Sequence, residues 1–163
     1  FNHESPRRGE TFVTKKIIRA LVRIKMGKQK SLFLGNLDSK RDWGHARDYV
    51  EAMWKILQQR KPDDYVIATG KQYSIRQFIN LVAKKINLNI IWKGKGLNEK
   101  GYDTRTKKNI IFIDKNYIRP LDVNTLLGNA SKARKQLSWT PKTNINQLIE
   151  EMISEELNIL NVE

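Results

Sequence analysis

The chain is 163 residues long, the length of one domain or of part of a larger one, and 39% hydrophobic with 29% charged residues, enough to bury a core. It has no cysteine, which excludes disulfides, thiolate metal sites and a cysteine nucleophile and fits a reducing, cytoplasmic compartment. A net charge of +14 points to phosphate-bearing partners, but the lysines are scattered rather than clustered, so a solvated surface and no nucleic acid is the expectation; no apolar run approaches the ~20 residues of a membrane span.

In chain order, the opening FNHESPRRGE is a dense polar cluster that reads like the inside of a binding site. Residues 11–27 place Val13, Ile17, Ile18, Leu21, Val22 and Ile24 at helical spacing, with Thr11 as a candidate cap and Gly27 as a stop. SLFLG (31–35) predicts a short strand, and NLDSKRDWGH (36–45), without an apolar period, a loop. Residues 46–59 repeat apolar pairs at Tyr49/Val50, Met53/Trp54 and Ile56/Leu57 and predict an amphipathic helix. DYVIATG (64–70) reads as a buried strand, after which Ser74 and Gln77 form a capping-box pattern for a helix carrying Ile75, Phe78, Ile79 and Val82. LNIIW (88–92) and IIFID (110–114) read as strands with a loop at 94–109, and 116–129 as mostly irregular. A short helix at 131–139, capped by Asn129 or Ser131, and a closing helix at 145–160 complete the pattern. Alternating strands and helices predict an α/β fold, with too few strands for a complete doubly wound sheet.

No catalytic engine stands out. Gly94-x-Gly96 lacks the third glycine of a dinucleotide loop. There is no Ser-x-x-x-Tyr-x-x-x-Lys set, His3 and His45 do not have metal-site spacing, and 150-EE-151 and 155-EE-156 read as the solvated face of the last helix. The candidates are instead binders of phosphate and sugar in loops. Arg7 and Arg8 precede Gly9 and a helix start, where an arginine fork and free backbone N–H groups can face a phosphate. Lys15 and Lys16 oppose the helix dipole in the first turns, consistent with an anion partner or with simple exposure. Trp43 fits either a base-stacking residue or a lid on the core, and Arg119 is held extended by the proline that follows it.

Taken together, NHESPRRGE, the VTKKI that follows it, LGNLDSKRDWGHARDYVEAMW, DDYVIATG and the NYIRP…D-x-N-x-L-x-G-N-x-SKA series closely resemble the GDP-mannose 4,6-dehydratase family of extended short-chain dehydrogenase/reductases. The resemblance runs in order through nearly the whole chain, and LGNLDSKRDWGHARDYV is its most specific stretch. It implies a Rossmann-like extended fold of which this chain is the C-terminal part: residues 1–60 as the end of the Rossmann region with its substrate and cofactor loops, and 61–163 as a small α/β substrate-binding lobe. The family's Gly-rich loop and its catalytic Thr, Glu, Tyr and Lys would then precede residue 1.

The resemblance further implies that His3 and Arg8 touch NADP, and that Asn2, Val13, Lys16, Asn36, Arg41 and Arg119 hold GDP-mannose. Asp122 stands where the family usually has a ribose-binding Glu, one methylene longer, and Lys15 where Arg is usual. The family oxidises the mannose C4 hydroxyl, eliminates water across C5–C6 and returns hydride to C6, giving GDP-4-dehydro-6-deoxy-mannose, a precursor of GDP-fucose and related sugars. A dimer or tetramer in the cytoplasm follows from the same source. Two rival readings remain at this stage: a GDP-sugar reductase or epimerase of the same superfamily, and a basic nucleic-acid-binding module without catalysis. An exposed apolar seam, with poor solubility or a molten state in isolation, is also expected.

Overall fold

The computed structural model describes residues 1–119 and 121–162. Chain order is β1 (Asn2–Glu4), α1 (Val13–Lys25), β2 (Leu32–Leu34), β3 (Lys40–Arg41), β4 (Trp43–His45), α2 (Ala46–Leu57), β5 (Tyr73–Ser74), α3 (Ile75–Lys85), β6 (Ile90–Lys93), β7 (Lys100–Asp103), β8 (Lys108–Ile113), α4 (Ser131–Leu137) and α5 (Ile145–Val162). The expected α/β alternation is therefore present, on three separate ladders.

The largest ladder is a mixed sheet in the order β2-β8-β7-β6, parallel between β2 and β8 and antiparallel elsewhere. Strand periodicity sends Leu32, Leu34 and Ile111 into the main core, where they meet Ile17, Ile18 and Leu21 of α1, Phe78, Ile79 and Val82 of α3, and Leu148, Ile149 and Met152 of α5. A second, smaller core joins α2 to α4 through Ala52, Ala68, Ala133, Leu137 and Trp139. Residues on both sides of position 60 contribute to each. β1 and β4 form a two-stranded parallel pair, and β3 and β5 an antiparallel one.

Local chemistry explains most element ends. α1 stops in a Schellman turn: Lys28 N–H donates to Arg23 O at 2.8 Å and Gly27 N–H to Ile24 O at 3.1 Å, with Gly27 left-handed at φ 75°. α3 starts with the expected capping box, Ser74 accepting from Gln77 N–H at 3.1 Å and the Gln77 side chain accepting from Ser74 N–H at 2.8 Å. α4 has neither expected cap: its N-cap is Ala130, without a side-chain bond, and Asn129 accepts from Ser131 N–H and Oγ at 3.0 and 2.5 Å in a turn at the helix start.

Five further expectations are corrected. Thr11 does not cap α1; the position is Phe12, with no side-chain acceptor. The expected loop at 36–45 contains β3 and β4, and that at 94–109 contains β7, because pairing with β5, β1 and β8 organises residues that have no pattern of their own. Residues 64–70 form no ladder; single bonds hold them instead, from the N-terminal amine to Ile67 O (3.2 Å), Lys132 Nζ to Asp64 O (2.9 Å) and Arg134 Nη2 to Thr69 O (3.1 Å). Glu156 is not on a solvated face but is buried under α1.

Among the described residues no helix is long and apolar enough to cross a membrane, and no cluster of His, Asp or Glu is suited to a metal.

Candidate functional site

Arg41 sits on β3 with its guanidinium turned toward the segment after β8. Nη1 donates to Lys40 O (2.8 Å) and Val123 O (2.6 Å), and Nη2 to Asp122 Oδ1 (2.6 Å). Ser39 Oγ donates to the other Asp122 oxygen at 3.3 Å. Residues 124–126 are zipped to β3 by Lys40 N–H to Asn124 O (2.8 Å) and Leu126 N–H to Lys40 O (3.0 Å). The irregular stretch that sequence leaves unstructured is therefore fixed at its far end.

Its near end is fixed at β2 and α1. Gly35 lets the chain lie directly on the end of β2, since a Cβ there would be 2.2 Å from Tyr117 O. The Tyr117 ring lies under Lys16, whose Nζ is 3.4 Å from the ring centroid, a cation–π contact that holds the ammonium in place. Asn36, next to Gly35, accepts from Asp38 N–H at 2.9 Å in an Asx turn. Arg119 is exposed in the segment between Tyr117 and Asp122, and its C=O accepts from Asp122 N–H at 3.1 Å. Asn2 Nδ2 reaches Asp42 O, one residue from Arg41, at 3.4 Å. Val13 begins α1 one turn before Lys16 and packs on the edge of the main core. Lys16 and Arg41 are thus each tied to this stretch, through Tyr117 and through Asp122 and Val123, whereas Asn2 joins Asp42, Asn36 bonds within its own turn and Val13 packs on the core. A cleft of about 320 Å³ opens between α1 and Tyr117, lined among others by Glu10, Lys16, Arg19, Arg23 and Phe33; of the sequence-predicted substrate residues Lys16 lines it, and Asn2, Val13, Asn36, Arg41, Arg119 and Asp122 lie outside its lining.

His3 and Arg8 form a separate group. The His3 ring packs on Tyr49 with centroids 5.4 Å apart. The Tyr49 hydroxyl is buried without a hydrogen-bond partner, and burial, then Asp42, Asp48 and Glu4, push its pKa far up. Arg8 stacks over Phe12, 3.5 Å from the ring centroid, and its Nε lies 3.2 Å from Glu4 Oε2. The same Glu4 oxygen accepts from Thr14 Oγ at 2.5 Å. The loop N–H groups expected to await a phosphate are used locally, Arg7 N–H on Ser5 Oγ (3.2 Å) and Arg8 N–H on Ser5 O (2.9 Å).

Burial raises the Glu4 pKa against the lowering effects of Thr14, Arg8 and His3. A carboxyl whose folded pKa is raised adds stability below its unfolded value near 4.5 and loses it as pH rises through the folded value. Glu4→Gln is therefore expected to gain stability relative to the parent as pH goes from about 4 to 7, checked by thermal melts of both across that range; a constant difference would contradict the assignment.

Other candidates serve the fold. Lys15 is buried, 3.6 Å from Glu156, so it is not exposed, and its partner is an internal carboxylate, which neither sequence reading named. Trp43 is a core residue against Phe78, with centroids 5.1 Å apart. Sequence reasoning missed Tyr117, and it missed the organising part of Asp42. The buried Asp42 carboxylate accepts from Thr69 N–H (3.0 Å), Thr69 Oγ (2.6 Å), Gly70 N–H (2.9 Å) and Gly128 N–H (3.3 Å), gathering three loops behind Arg41. An aspartate between an arginine and a tryptophan was the one available signal.

The family model described as GDP-mannose 4,6 dehydratase matches residues 1–152. A GDP-mannose 4,6 dehydratase of Dictyostelium discoideum is 51% identical over 160 residues, covering 98% of this chain and 45% of the relative. One from Vibrio cholerae is 48% identical over 169 residues, again 98% of this chain and 45% of the relative. The chain thus spans a little under half the length of these relatives. Among solved structures, RMD from Pseudomonas aeruginosa complexed with NADPH superposes with a TM-score of 0.77 at 22% identity, over 98% of this chain and 47% of that one. A dTDP-glucose 4,6-dehydratase from Bacillus anthracis in complex with NAD gives 0.71 at 16%, over 96% and 42%; at these identities the likeness is one of fold, that of extended Rossmann-type enzymes. The match from residue 1 to 152, with about half of the positions shared with curated relatives, places this chain in the GDP-mannose 4,6-dehydratase family.

Proposed function

We propose that this chain is the nucleotide-sugar-binding part of a GDP-mannose 4,6-dehydratase, an NADP-dependent lyase that converts GDP-mannose to GDP-4-dehydro-6-deoxy-mannose in the cytoplasm, as a dimer or tetramer when whole. The observation that carries the reading is that Lys16 stacks on Tyr117 while Arg41 is held by Asp122 and Val123 O, so that two cations from α1 and β3 are fixed on one short stretch of chain, with the exposed Arg119 between those anchors in sequence.

On this reading Arg41 and Arg119 hold the diphosphate, where a planar fork gives paired charge-assisted hydrogen bonds. Asp122 and Val123 O aim the Arg41 fork in advance, which reduces the ordering cost of binding. Lys16, fixed on Tyr117, meets a phosphate or the guanine carbonyl. Asn2, Asn36 and Val13 line the sugar and base, and Asp122 has one oxygen bonded only to Ser39 to offer a ribose hydroxyl.

His3 and Arg8 fit an NADP edge: an exposed imidazole lies on a tyrosine whose buried hydroxyl lacks a partner, beside an arginine oriented by Glu4. Bound there, NADP supplies a reversible hydride acceptor. The chain's own residues bind and orient, contributing proximity rather than proton transfer, and the 163 residues alone are expected to be inactive.

A chimera tests the whole reading. Joined to the stretch of the Dictyostelium relative that this chain does not match, it is expected to turn GDP-mannose into GDP-4-dehydro-6-deoxy-mannose, followed by chromatography. A folded chimera that binds GDP-mannose and yields no such product would contradict it.

A further inference from the structure

One face of the sheet β2-β8-β7-β6 carries the main core. The other is built from cross-strand partners. Lys93, Lys100, Phe112 and Phe33 lie side by side in one row across the four strands, and Ile91, Tyr102 and Asn109 follow in the next. A register shift at Gly101/Tyr102 lets Ile110 and Ile111 both turn to the core while Asn109 and Phe112 face out. Phe33 stacks on Phe112 with ring centroids 5.4 Å apart; Lys93 Nζ lies 3.4 Å from the Tyr102 centroid and Lys100 Nζ 6.0 Å from that of Phe112. Phe33 and Ile91, on the two edge strands, are each 46% exposed. Aromatic rings and ammonium groups thus alternate on an open, pleated surface.

Charge gathers at the same place. Lys93, Lys95 and Lys100 flank the β6–β7 connection, and Arg105, Lys107 and Lys108 the β7–β8 turn at the opposite end of β7; all six are exposed. The carboxylates between them are engaged elsewhere. Glu99 binds Arg76 at 2.5 Å, and the buried Asp103 accepts from Arg105 N–H, Thr106 N–H and Thr106 Oγ. In sequence these cations look scattered and give no reason to expect nucleic acid. Two hairpins bring them to the two ends of one aromatic surface, separated by the run of β7, about 10 Å.

We propose that this outer sheet face binds single-stranded nucleic acid, with about two or three bases stacked on Phe33, Phe112 and Tyr102 and the neighbouring phosphates on the cations at either end. The occupant follows from the combination. Cations alone suit any polyanion, but rings standing open on a sheet offer a stacking partner to bases, and a duplex keeps its bases stacked inside. The ammonium groups over Tyr102 and Phe112 sit on flexible stems and move to phosphate as bases take their place. The inference does not rest on the nucleotide-sugar reading: of these residues Phe33 lines the cleft beside α1, and the six cations lie outside both that cleft and residues 117–123.

Fluorescence anisotropy with labelled oligo(U) and oligo(dT) of about 12 nucleotides tests it, and binding of either strand supports it. Saturable binding is expected, with log K falling by about 2–4 per unit of log salt, and a duplex of the same length is expected to bind about 10-fold more weakly. Tyr102→Ala should weaken binding about 10-fold, the scale of one stacked base, and Tyr102→Phe should leave it unchanged. Lys93→Gln/Lys100→Gln should weaken binding and reduce the salt slope by about 1.4. Arg60→Gln/Lys61→Gln removes as many exposed charges just beyond α2 and should leave affinity and slope at parental values. Thermal melts identify the folded variants; if Tyr102→Ala is not among them, the lysine pair reads the same face. Absence of saturable binding, a duplex bound equally well, equal losses from the lysine pair and the Arg60/Lys61 pair, or full displacement by GDP-mannose would each overturn the proposal. So would binding to phosphatidylserine vesicles with none to the oligonucleotides, which would make the face a lipid contact.

Discussion

Glu156→Ala is expected to destabilise the chain by about 3–5 kcal/mol, the range for breaking a buried ion pair by removing one partner, and to lower its melting temperature on the order of 10 °C. The carboxylate is 1% exposed and lies 3.6 Å from Lys15 Nζ, 3.1 Å from Arg23 Nε and 3.9 Å from Arg19 Nε. Three cations of α1, spaced by four residues, thus converge on one residue of α5. Arg19 also pairs with Glu10 and is partly exposed, so it can turn to water. Lys15 is 5% exposed and cannot, so deletion of Glu156 leaves a buried ammonium without its counter-ion. The double variant Lys15→Met/Glu156→Leu removes both charges and restores packing, and is expected to recover most of the loss, because an apolar pair of similar volume often replaces a buried ion pair at little cost. Thermal or urea denaturation reads both. A loss below about 1 kcal/mol for Glu156→Ala would place this network with ordinary surface pairs.

Arg41→Ala is expected to weaken GDP binding by about 30- to 100-fold, or 2–3 kcal/mol, the scale of losing a charge-assisted fork to a diphosphate. Affinity for guanosine, which has no phosphate, should change little, and that contrast separates a lost contact from a disturbed site. Arg41→Lys keeps the charge but not the planar fork and should recover only part of the loss. Arg41 also tethers Asp122 and Val123 O, so a modest fall in melting temperature accompanies the change. Equal loss for GDP and guanosine would show that Arg41 shapes the segment without touching phosphate.

The helices were legible because each buries a stripe at its own period: α1, α3 and α5 put Ile17, Leu21, Phe78, Ile79, Leu148 and Met152 where spacing places them. The capping box at Ser74 was legible because it is local. β3 and β4 were not, since Lys40, Arg41, Trp43, Gly44 and His45 have no strand period and become strands only by pairing with residues about 30 to 40 positions away. Residues 64–70 failed in the opposite sense: DYVIATG has the composition of a strand but finds no ladder among the described residues. For α2, periodicity gave the helix but not which apolar residues face inward, because both sides are apolar and only the fold decides.

At the site, the phosphate-type residues were recognisable by type and by family resemblance. Their support was hidden. Tyr117 under Lys16 and Asp122 against Arg41 join residues about 80 to 100 positions apart, through a stretch whose sequence carries no helix or strand period. Glu156 read as solvated because a charged run on a terminal helix usually is; three cations on the facing helix reversed that.

The most direct measurement is a titration of the chain with GDP-mannose, followed by calorimetry and by backbone NMR shifts. Saturable one-to-one binding is expected, with a Kd on the order of 0.1–1 mM, or roughly −4 to −5.5 kcal/mol, and with shifts concentrated at Lys16, Asn36, Arg41 and residues 117–123. A folded chain with no saturable binding, or with shifts gathered on a surface remote from that strip, would contradict the account.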